Sequence, residues 1–157
     1  MRRKFGKLIN QLARKDKKII LLVGDIGYGI FDDFRKEHPK RFINLGICEQ
    51  SLIGVASGMA LEGLKPWVYT ITPFLIERPF EQIKLDIDQQ NTNVNLVGFA
   101  DYPSLGPSHS ELNAKKLMKL FKNPRLGLLI KTFDKMTDER KNELHTTADH
   151  FLIQLNK

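Results

Sequence analysis

Residues 41–63 constrain the fold most, because they combine an apolar strand, a glycine turn and a helix rich in small residues. The apolar side chains within 42–47 predict a short buried strand, and Gly46 permits a sharp backbone turn. Glu49 then lies near the predicted start of a helix. A carboxylate at a strand-to-helix junction is where α/β proteins place functional groups.

The helix that follows has an unusually flat predicted face. Gly54, Ser57 and Gly58 lie within a few residues of one another in the stretch 52–60. Each glycine costs a helix roughly 1 kcal/mol relative to alanine. We therefore expect another element, or another subunit, to pack closely against this face.

The positive charge of the chain is concentrated at its beginning. The 157 residues carry a net charge of +7, and residues 1–18 hold eight of the 25 Lys and Arg. The remainder has 17 basic and 17 acidic residues. No recognition motif accompanies the basic stretch, so we interpret it as the solvated face of a first helix and expect no nucleic-acid partner.

Composition is typical of one globular domain, and we expect a single domain over 1–157 that includes the basic helix. Cys48 is the only cysteine, which excludes an internal disulfide and a cysteine-based zinc site. The apolar run 19–23 is too short to span a membrane. A cytoplasmic location without membrane attachment is the expectation.

Strand and helix patterns alternate along the whole chain. This alternation predicts parallel strands joined by right-handed crossovers, with helices on both faces. The expected fold is therefore α/β, a three-layer α/β/α arrangement around a mainly parallel sheet of about six strands. The predicted strands are 18–23, 42–47, 65–72, 93–100, 126–133 and 151–155. The predicted helices are 3–14, 31–38, 51–63, 111–121 and 137–150, and a further helix follows a loop that opens at Pro73-Phe74 and ends at residue 90.

Four functional side chains follow the carboxyl ends of predicted strands, namely Asp25, Glu49, Phe74 and His109. Ligands of parallel α/β sheets bind beyond these ends. Glu49 has two open interpretations. It is either a carboxyl that stays protonated in an apolar site and donates a proton, or a helix-start acid stabilised by the helix dipole.

Other candidates also have alternative interpretations. The loop 24–29 lacks the spacing of a dinucleotide or phosphate loop, and we interpret it as a turn with an exposed aspartate. Phe74 belongs either to the core or to a ligand-stacking position. Arg78 either pairs with a neighbouring glutamate or belongs to the site. His109, in a Gly/Pro-rich loop, is a better catalytic candidate than the histidines on predicted helices.

Taken together, these stretches resemble the transketolase family, specifically its pyrimidine-binding domain. The Gly-Ile-x-Glu-Gln motif followed by a glycine-rich helix is the specific part. The tyrosine-containing loop looks most like that of split transketolase-like enzymes, in which the enzyme is divided between chains. The similar segments occur in family order at 24–39, 41–50, 54–66, 74–83 and 102–109.

The resemblance implies roles for named residues. Glu49 matches the glutamate that hydrogen-bonds the aminopyrimidine ring of thiamine diphosphate, and Phe74 is the nearest match to the aromatic residue that packs on this ring. His109 matches a histidine that faces the substrate, so Glu49 and His109 are the implied catalytic residues. The remaining implied cofactor-binding residues are Gly46, Ile47, Gln50, Asp25 and Arg78.

The chain also departs from the family pattern. Relatives hold the diphosphate and Mg²⁺ in a separate domain with a Gly-Asp-Gly motif, whereas Gly24-Asp25 is followed here by Ile26. We therefore expect no metal ligand in this chain and expect Mg²⁺ on a diphosphate-binding partner chain. The implied assembly is a homodimer or heterotetramer that is inactive without the partner. The implied reaction is two-carbon ketol transfer, or a related carboligation, on sugars or sugar phosphates.

A non-catalytic interaction module is the alternative. In this hypothesis, the chain is a remnant of the same domain and pairs with a partner through the Gly54/Gly58 helix. Leu105, where full-length relatives often have an acidic residue, favours this alternative. The retained Glu49 favours the enzyme, because a scaffold has no use for that side chain.

Overall fold

A computed structural model of the protein describes residues 2–110 and 112–131. The helices are α1 (Arg2–Lys15), α2 (Asp32–Glu37), α3 (Glu49–Leu61), α4 (Thr72–Ile76), α5 (Phe80–Gln82) and α6 (Ala114–Met118). The strands are β1 (Ile19–Val23), β2 (Phe42–Asn44), β3 (Lys65–Ile71), β4 (Asn95–Phe99) and β5 (Gly127–Lys131). Short 3₁₀ turns occupy Pro39–Arg41, Pro103–Leu105 and Pro107–His109, and α5 continues into a π-helical segment, Ile83–Gln89.

The five described strands form one parallel sheet in the order β2-β1-β3-β4-β5. Because all five strands are parallel, the loops after β1, β2, β3 and β4 lie at one edge of the sheet. We call this the carboxyl edge. The predicted parallel α/β fold is confirmed. The predicted helix 137–150 and sixth strand 151–155 lie outside the described residues.

Two separate apolar cores show that helices cover both faces of the sheet. On one face, α1 and α2 bury Phe5, Ile9 and Phe34 against alternate residues of β1, β3 and β4, such as Leu21 and Tyr69. On the other face, α3, α4 and the π-helical segment pack against the intervening strand residues. This second core includes Leu22, Leu52, Ile53, Val68, Ile76, Ile83, Ile87 and Leu96. The predicted three layers are therefore confirmed.

The prediction of a buried strand over 42–47 was wrong in part. Strand β2 contains three residues, pairs with β1 alone in the described sheet and is only half-buried. Ile47 lies beyond it with 72% of its surface exposed. The apolar pattern was insufficient because an edge strand has fewer neighbours, and Gly46 at φ 80° ends the extended backbone.

The loop predicted to open at Pro73-Phe74, followed by one helix through residue 90, was also wrong in part. The backbone is helical in α4, breaks at Pro79 and resumes in α5 and the π-helical segment. Proline lacks the N–H group that a continuous helix requires. The carbonyl of Asp86 in the π-helical segment accepts hydrogen bonds from the hydroxyls of Ser57 and Thr92. This segment is therefore held against α3 by side chains.

The helix predicted over 111–121 is shorter in the structure. Helix α6 begins after Asn113, whose side-chain oxygen accepts the Lys116 backbone N–H at 3.0 Å, a normal N-terminal cap. Of the helices within the described residues, none has both the length and the apolar character needed to cross a membrane.

Candidate functional site

Glu49 is a buried acid at the carboxyl edge. It is the first residue of α3, and only 4% of its side chain is exposed. The Nη1 atom of Arg78 donates a hydrogen bond to its Oε1 at 2.9 Å. Among the described residues, Arg78 is the one side chain that donates to this carboxylate. The bond is an ion pair across 29 positions of sequence, and a buried carboxylate requires such a partner.

Arg78 also contacts the Phe74 ring, which in turn contacts the His109 ring. The Cζ atom of Arg78 lies 3.3 Å from the centroid of the Phe74 ring. The His109 ring meets Phe74 edge-to-face, with centroids 4.9 Å apart and an interplanar angle of 64°. Glu49, Arg78, Phe74 and His109 therefore form one chain of contacts, which we call the Glu49 cluster.

Local structure explains how Arg78 reaches α3. Phe74 lies in α4, which begins directly where β3 ends at the carboxyl edge. The break before Pro79 places Arg78 outside both α4 and α5, and the Gln50 side chain donates to the Arg78 carbonyl at 3.2 Å. The proposed pairing of Arg78 with a sequence neighbour is not observed. Glu77 instead accepts the backbone N–H of Leu112 at 2.8 Å.

The loop after β4 positions His109. The Tyr102 N–H donates to the His109 carbonyl at 2.7 Å, which closes the loop into two short 3₁₀ turns. The Ser108 hydroxyl lies 3.1 Å from His109 Nδ1. The imidazole is half-buried, so one part of it contacts Phe74 while another part remains accessible to a ligand.

Asp25 belongs to a different group of contacts at the same edge. Its exposed carboxylate accepts hydrogen bonds from Asn44 Nδ2 at 3.1 Å and from the Tyr28 hydroxyl at 2.9 Å. The Asn44 bond and then the Tyr28 bond lower the pKa of Asp25 below its usual value. Sequence reasoning missed Asn44. Its signal was a polar side chain within the otherwise apolar predicted strand 42–47, shortly before the Glu49 motif.

The other predicted site residues serve the turn before α3. Gly46 adopts φ 80°, a conformation that favours glycine, and its N–H donates to Asn44 Oδ1 at 3.0 Å. Ile47 is exposed at the carboxyl edge. Neither residue is part of the chain of contacts that defines the Glu49 cluster.

The chemistry of the cluster suits a flat nitrogen heterocycle. The Arg78 guanidinium is a planar group of N–H donors that both lies over Phe74 and bonds to Glu49. An aminopyrimidine ring is also planar and bears N–H donors, so it shares the two features by which the guanidinium contacts Phe74 and Glu49. The residues present therefore fit such a ring. Within residues 2–110 and 112–131, no group of acidic, His or Cys side chains is arranged to hold a metal ion.

Fold and cluster together define a parallel α/β domain with a candidate ligand site at the carboxyl edge of its sheet. Comparison with known proteins agrees with this class. The chain belongs to the family described as transketolase, pyrimidine binding domain, which matches residues 1–133. The resemblance inferred from the sequence motifs is confirmed.

Curated relatives are longer than this chain. It is 33% identical over 124 residues to one subunit of the apulose-4-phosphate transketolase of Phocaeicola vulgatus, covering 76% of this chain and 40% of that protein. It is 40% identical over 95 residues to an uncharacterized 33.6 kDa protein in the fasciation locus of Rhodococcoides fascians, covering 60% of this chain and 30% of that protein. The chain thus spans less than half the length of these relatives.

Solved structures show the same fold. A split-gene transketolase, described as an inactive beta4 tetramer, matches with a TM-score of 0.67 and 33% identity, covering 76% of this chain and 39% of that chain. A transketolase variant from Pichia stipitis matches with the same TM-score of 0.67 but 14% identity, covering 87% of this chain and 26% of that one. The second likeness supports the fold alone.

Proposed function

We propose that this chain is the pyrimidine-binding subunit of a split, transketolase-like enzyme that uses thiamine diphosphate. The observation that carries the proposal is the Glu49 cluster, in which a buried carboxylate and an aromatic ring both contact Arg78. Family membership supports it, as does the likeness to one subunit of a transketolase and to a split-gene transketolase.

Glu49 and Phe74 would hold the aminopyrimidine ring. Arg78 bonds to Oε1 of Glu49, so Oε2 is the oxygen that remains for a ring nitrogen. The buried position strengthens such a hydrogen bond, because little water competes for the carboxyl. When bound, thiamine diphosphate supplies the nucleophilic carbon with which transketolases break and form bonds next to ketose carbonyls.

The remaining residues would support these two. Gln50 fixes the backbone of Arg78, and Gly46 and Ile47 form the turn that leads into Glu49. Arg78 balances the charge of Glu49, and Asp25 contributes a second negative charge at the same edge of the sheet. His109, beside Phe74, would face a sugar substrate and hold or move a proton at its hydroxyl or carbonyl oxygen.

A partner chain would bind the diphosphate group and Mg²⁺. Relatives hold these groups with a Gly-Asp-Gly motif, whereas Ile26 follows Gly24-Asp25 in this chain. The proposed reaction is the transfer of a two-carbon ketol unit, or a related carboligation, on a sugar or sugar phosphate. The chain would be inactive by itself and would work in the cytoplasm as part of a homodimer or heterotetramer.

Isothermal titration tests this proposal. Thiamine diphosphate with Mg²⁺ is titrated into the chain alone and into the chain mixed with the diphosphate-domain protein encoded by a neighbouring gene. We expect heat of binding only in the mixture. Glu49→Gln should weaken binding about 10- to 100-fold, as expected for losing a hydrogen bond to a charged group.

The matched control is Glu62→Gln at the exposed end of α3, which removes the same charge from the same helix away from the site. This control should bind the cofactor like the unchanged chain. Equal binding by the Glu49→Gln and Glu62→Gln mixtures would contradict the proposed role of Glu49. A lack of binding by any mixture would contradict the enzyme hypothesis.

The interaction module remains a second candidate because of one observation on α3. A Cβ atom added at Gly58 would meet no other atom of the described chain within 4 Å. The small residue is therefore not required for packing within this part of the chain, and a contact with a second chain would explain it. Full partner activity with Glu49→Ala would favour this candidate over the enzyme.

A further inference from the structure

Asn44 occupies a connecting position between two loops of the carboxyl edge. It is the last residue of β2 and lies beside Val23, the last residue of β1, in the parallel register. The loop after β1 carries Asp25, and the turn after β2 leads to Glu49. Asn44 therefore lies where the loop after β1 and the turn after β2 diverge.

This one carboxamide makes three hydrogen bonds. Its Oδ1 accepts the backbone N–H groups of Asp25 and Gly46, both at 3.0 Å. Its Nδ2 donates to the Asp25 carboxylate at 3.1 Å. A carboxamide offers an acceptor oxygen and a separate N–H donor side by side, and the longer glutamine would place them further from the backbone.

The backbone at both bonded positions is unusual. Asp25 has φ 53° and Gly46 has φ 80°, both in the left-handed region. Glycine adopts this region freely, whereas a residue such as Asp25 does so only when its surroundings hold it there. The bonds from Asn44 provide that support, since they reach both the N–H and the side chain of Asp25.

Hydrogen bonds of the turn connect Asn44 to the start of the helix that carries Glu49. After the Gly46 N–H bonds to Asn44, the Gly46 carbonyl accepts the N–H of Cys48 at 3.1 Å. The Cys48 carbonyl then accepts the N–H of Leu52 at 2.9 Å, within the first turn of α3. A continuous series of hydrogen bonds thus leads from the Asn44 amide to the start of the helix that carries Glu49.

We propose that Asn44 is a positioning residue that sets the Asp25 carboxylate and the Glu49 turn relative to each other at the cofactor site. This inference rests on the proposed function for its effect on the ligand, and on the hydrogen bonds alone for its effect on the protein. Asn44 acts through Asp25 and Gly46 and has no role in the chemistry itself.

The test uses a reciprocal exchange of two side chains. Asn44→Asp retains the acceptor for both N–H groups but removes the donor to Asp25 and adds a like charge. The double variant Asp25→Asn/Asn44→Asp restores a donor and an acceptor in reversed order, and asparagine tolerates the left-handed backbone at position 25. The control is Asn113→Asp, which retains its cap on α6.

The first readout is NMR of the labelled chain and needs no ligand. We expect Asn44→Ala to raise the pKa of the Asp25 carboxyl and to shift the amide signals of Gly46 and Glu49. Asn44→Asp should also shift these amides, and the double variant should return them toward their original positions. An unchanged pKa of Asp25 in Asn44→Ala, or unchanged amides, would overturn the inference.

The second readout is a titration of thiamine diphosphate with Mg²⁺ into each variant mixed with the diphosphate-domain partner. We expect Asn44→Asp to weaken binding about tenfold and the double variant to recover most of it, whereas Asn113→Asp should have no effect. Equal binding by the Asn44→Asp and Asn113→Asp mixtures would overturn the inference about Asn44 and leave the proposed function intact. A mixture of the partner with the unchanged chain that does not bind the cofactor would overturn the proposed function instead.

Discussion

Two arginine–glutamate pairs in this molecule have the same chemistry in different surroundings. Arg14 of α1 contacts Glu37 of α2 through two hydrogen bonds at 2.7 and 2.6 Å, and 57% and 36% of the two side chains are exposed. Arg78 contacts Glu49 through one bond at 2.9 Å, with 32% and 4% exposed. The Arg14–Glu37 pair has more hydrogen bonds, but its side chains are exposed, so water can take the place of those bonds.

The comparison teaches where the protein depends on one interaction. Loss of Arg14 returns Glu37 to water, and surface pairs contribute little for this reason. Loss of Arg78 leaves a buried carboxylate with no donor in the described chain. In the α1–α2 contact, Arg14 donates to both carboxylate oxygens of Glu37. In the Glu49 cluster, Arg78 donates to Oε1 alone, which leaves Oε2 and the half-buried His109 for a ligand.

The largest expected effect is therefore on stability after removal of Arg78. We expect Arg78→Met to lower the free energy of unfolding by about 2–3 kcal/mol at neutral pH, because Glu49 remains buried and unpaired. Urea unfolding followed by circular dichroism measures this change. Arg14→Met is the matched control and should have a much smaller effect. Equal losses in the two variants would contradict the comparison.

Helix α3 provides the next test, because Glu49 begins it and Gly58 lies on its exposed face. We expect Gly58→Ala to raise the free energy of unfolding of the separate chain by up to about 1 kcal/mol, since alanine favours helix and meets no neighbour in the described chain. Thermal unfolding measures the gain. If a second chain packs here, the same change should weaken assembly in sedimentation experiments.

Gly63→Ala is the control for that change. A Cβ at Gly63 also meets nothing within 4 Å of the described chain, but the backbone there has φ 79°. Alanine is strained in this conformation, so we expect a loss of roughly 1 kcal/mol where Gly58→Ala brings a gain. A loss in both variants would show that the Gly58 face is already packed within the chain.

The aromatic contact of Arg78 should contribute less. Replacing Phe74 with leucine removes the ring face beside the guanidinium but keeps an apolar side chain. In a double-mutant cycle of Phe74→Leu and Arg78→Met, we expect a coupling free energy of about 1 kcal/mol. Urea unfolding of the four proteins measures it. Additive losses would show that the cation–ring contact adds nothing to stability.

The smallest expected effect is the pH dependence of stability that comes from the Arg14–Glu37 pair between α1 and α2. The Arg14 bond, with help from Asn10, lowers the pKa of Glu37 from 4.5 to about 2. Between these values the unfolded chain binds the proton more readily, so the stabilisation present above pH 4.5 is lost as the pH falls toward 2. The difference in unfolding free energy between the protein and Glu37→Gln should therefore shrink from about pH 5 to about pH 3. A constant difference would contradict this pKa.

Sequence reasoning predicted the parallel α/β fold and placed Glu49, Phe74 and His109 at one edge of the sheet. It succeeded there because strand and helix periodicities are local, and because parallel strands place their following loops together. It failed over 73–90, where α4 occupies the predicted loop and Pro79 separates it from α5 and the π-helical segment. It also overestimated β2, because an apolar run does not reveal that its strand lies at the sheet edge.

The sequence by itself determined the alternation of strand and helix, the glycine turn before Glu49 and the family to which the chain belongs. The tertiary structure decided the strand order and the contacts that depend on it. Arg78 pairs with Glu49 and not with the nearer Glu77 or Glu81, and Asn44 bonds to Asp25 across 19 positions of sequence. Such contacts depend on which strands are neighbours and in which register, and that arrangement is set by packing of the whole chain and not by any local pattern.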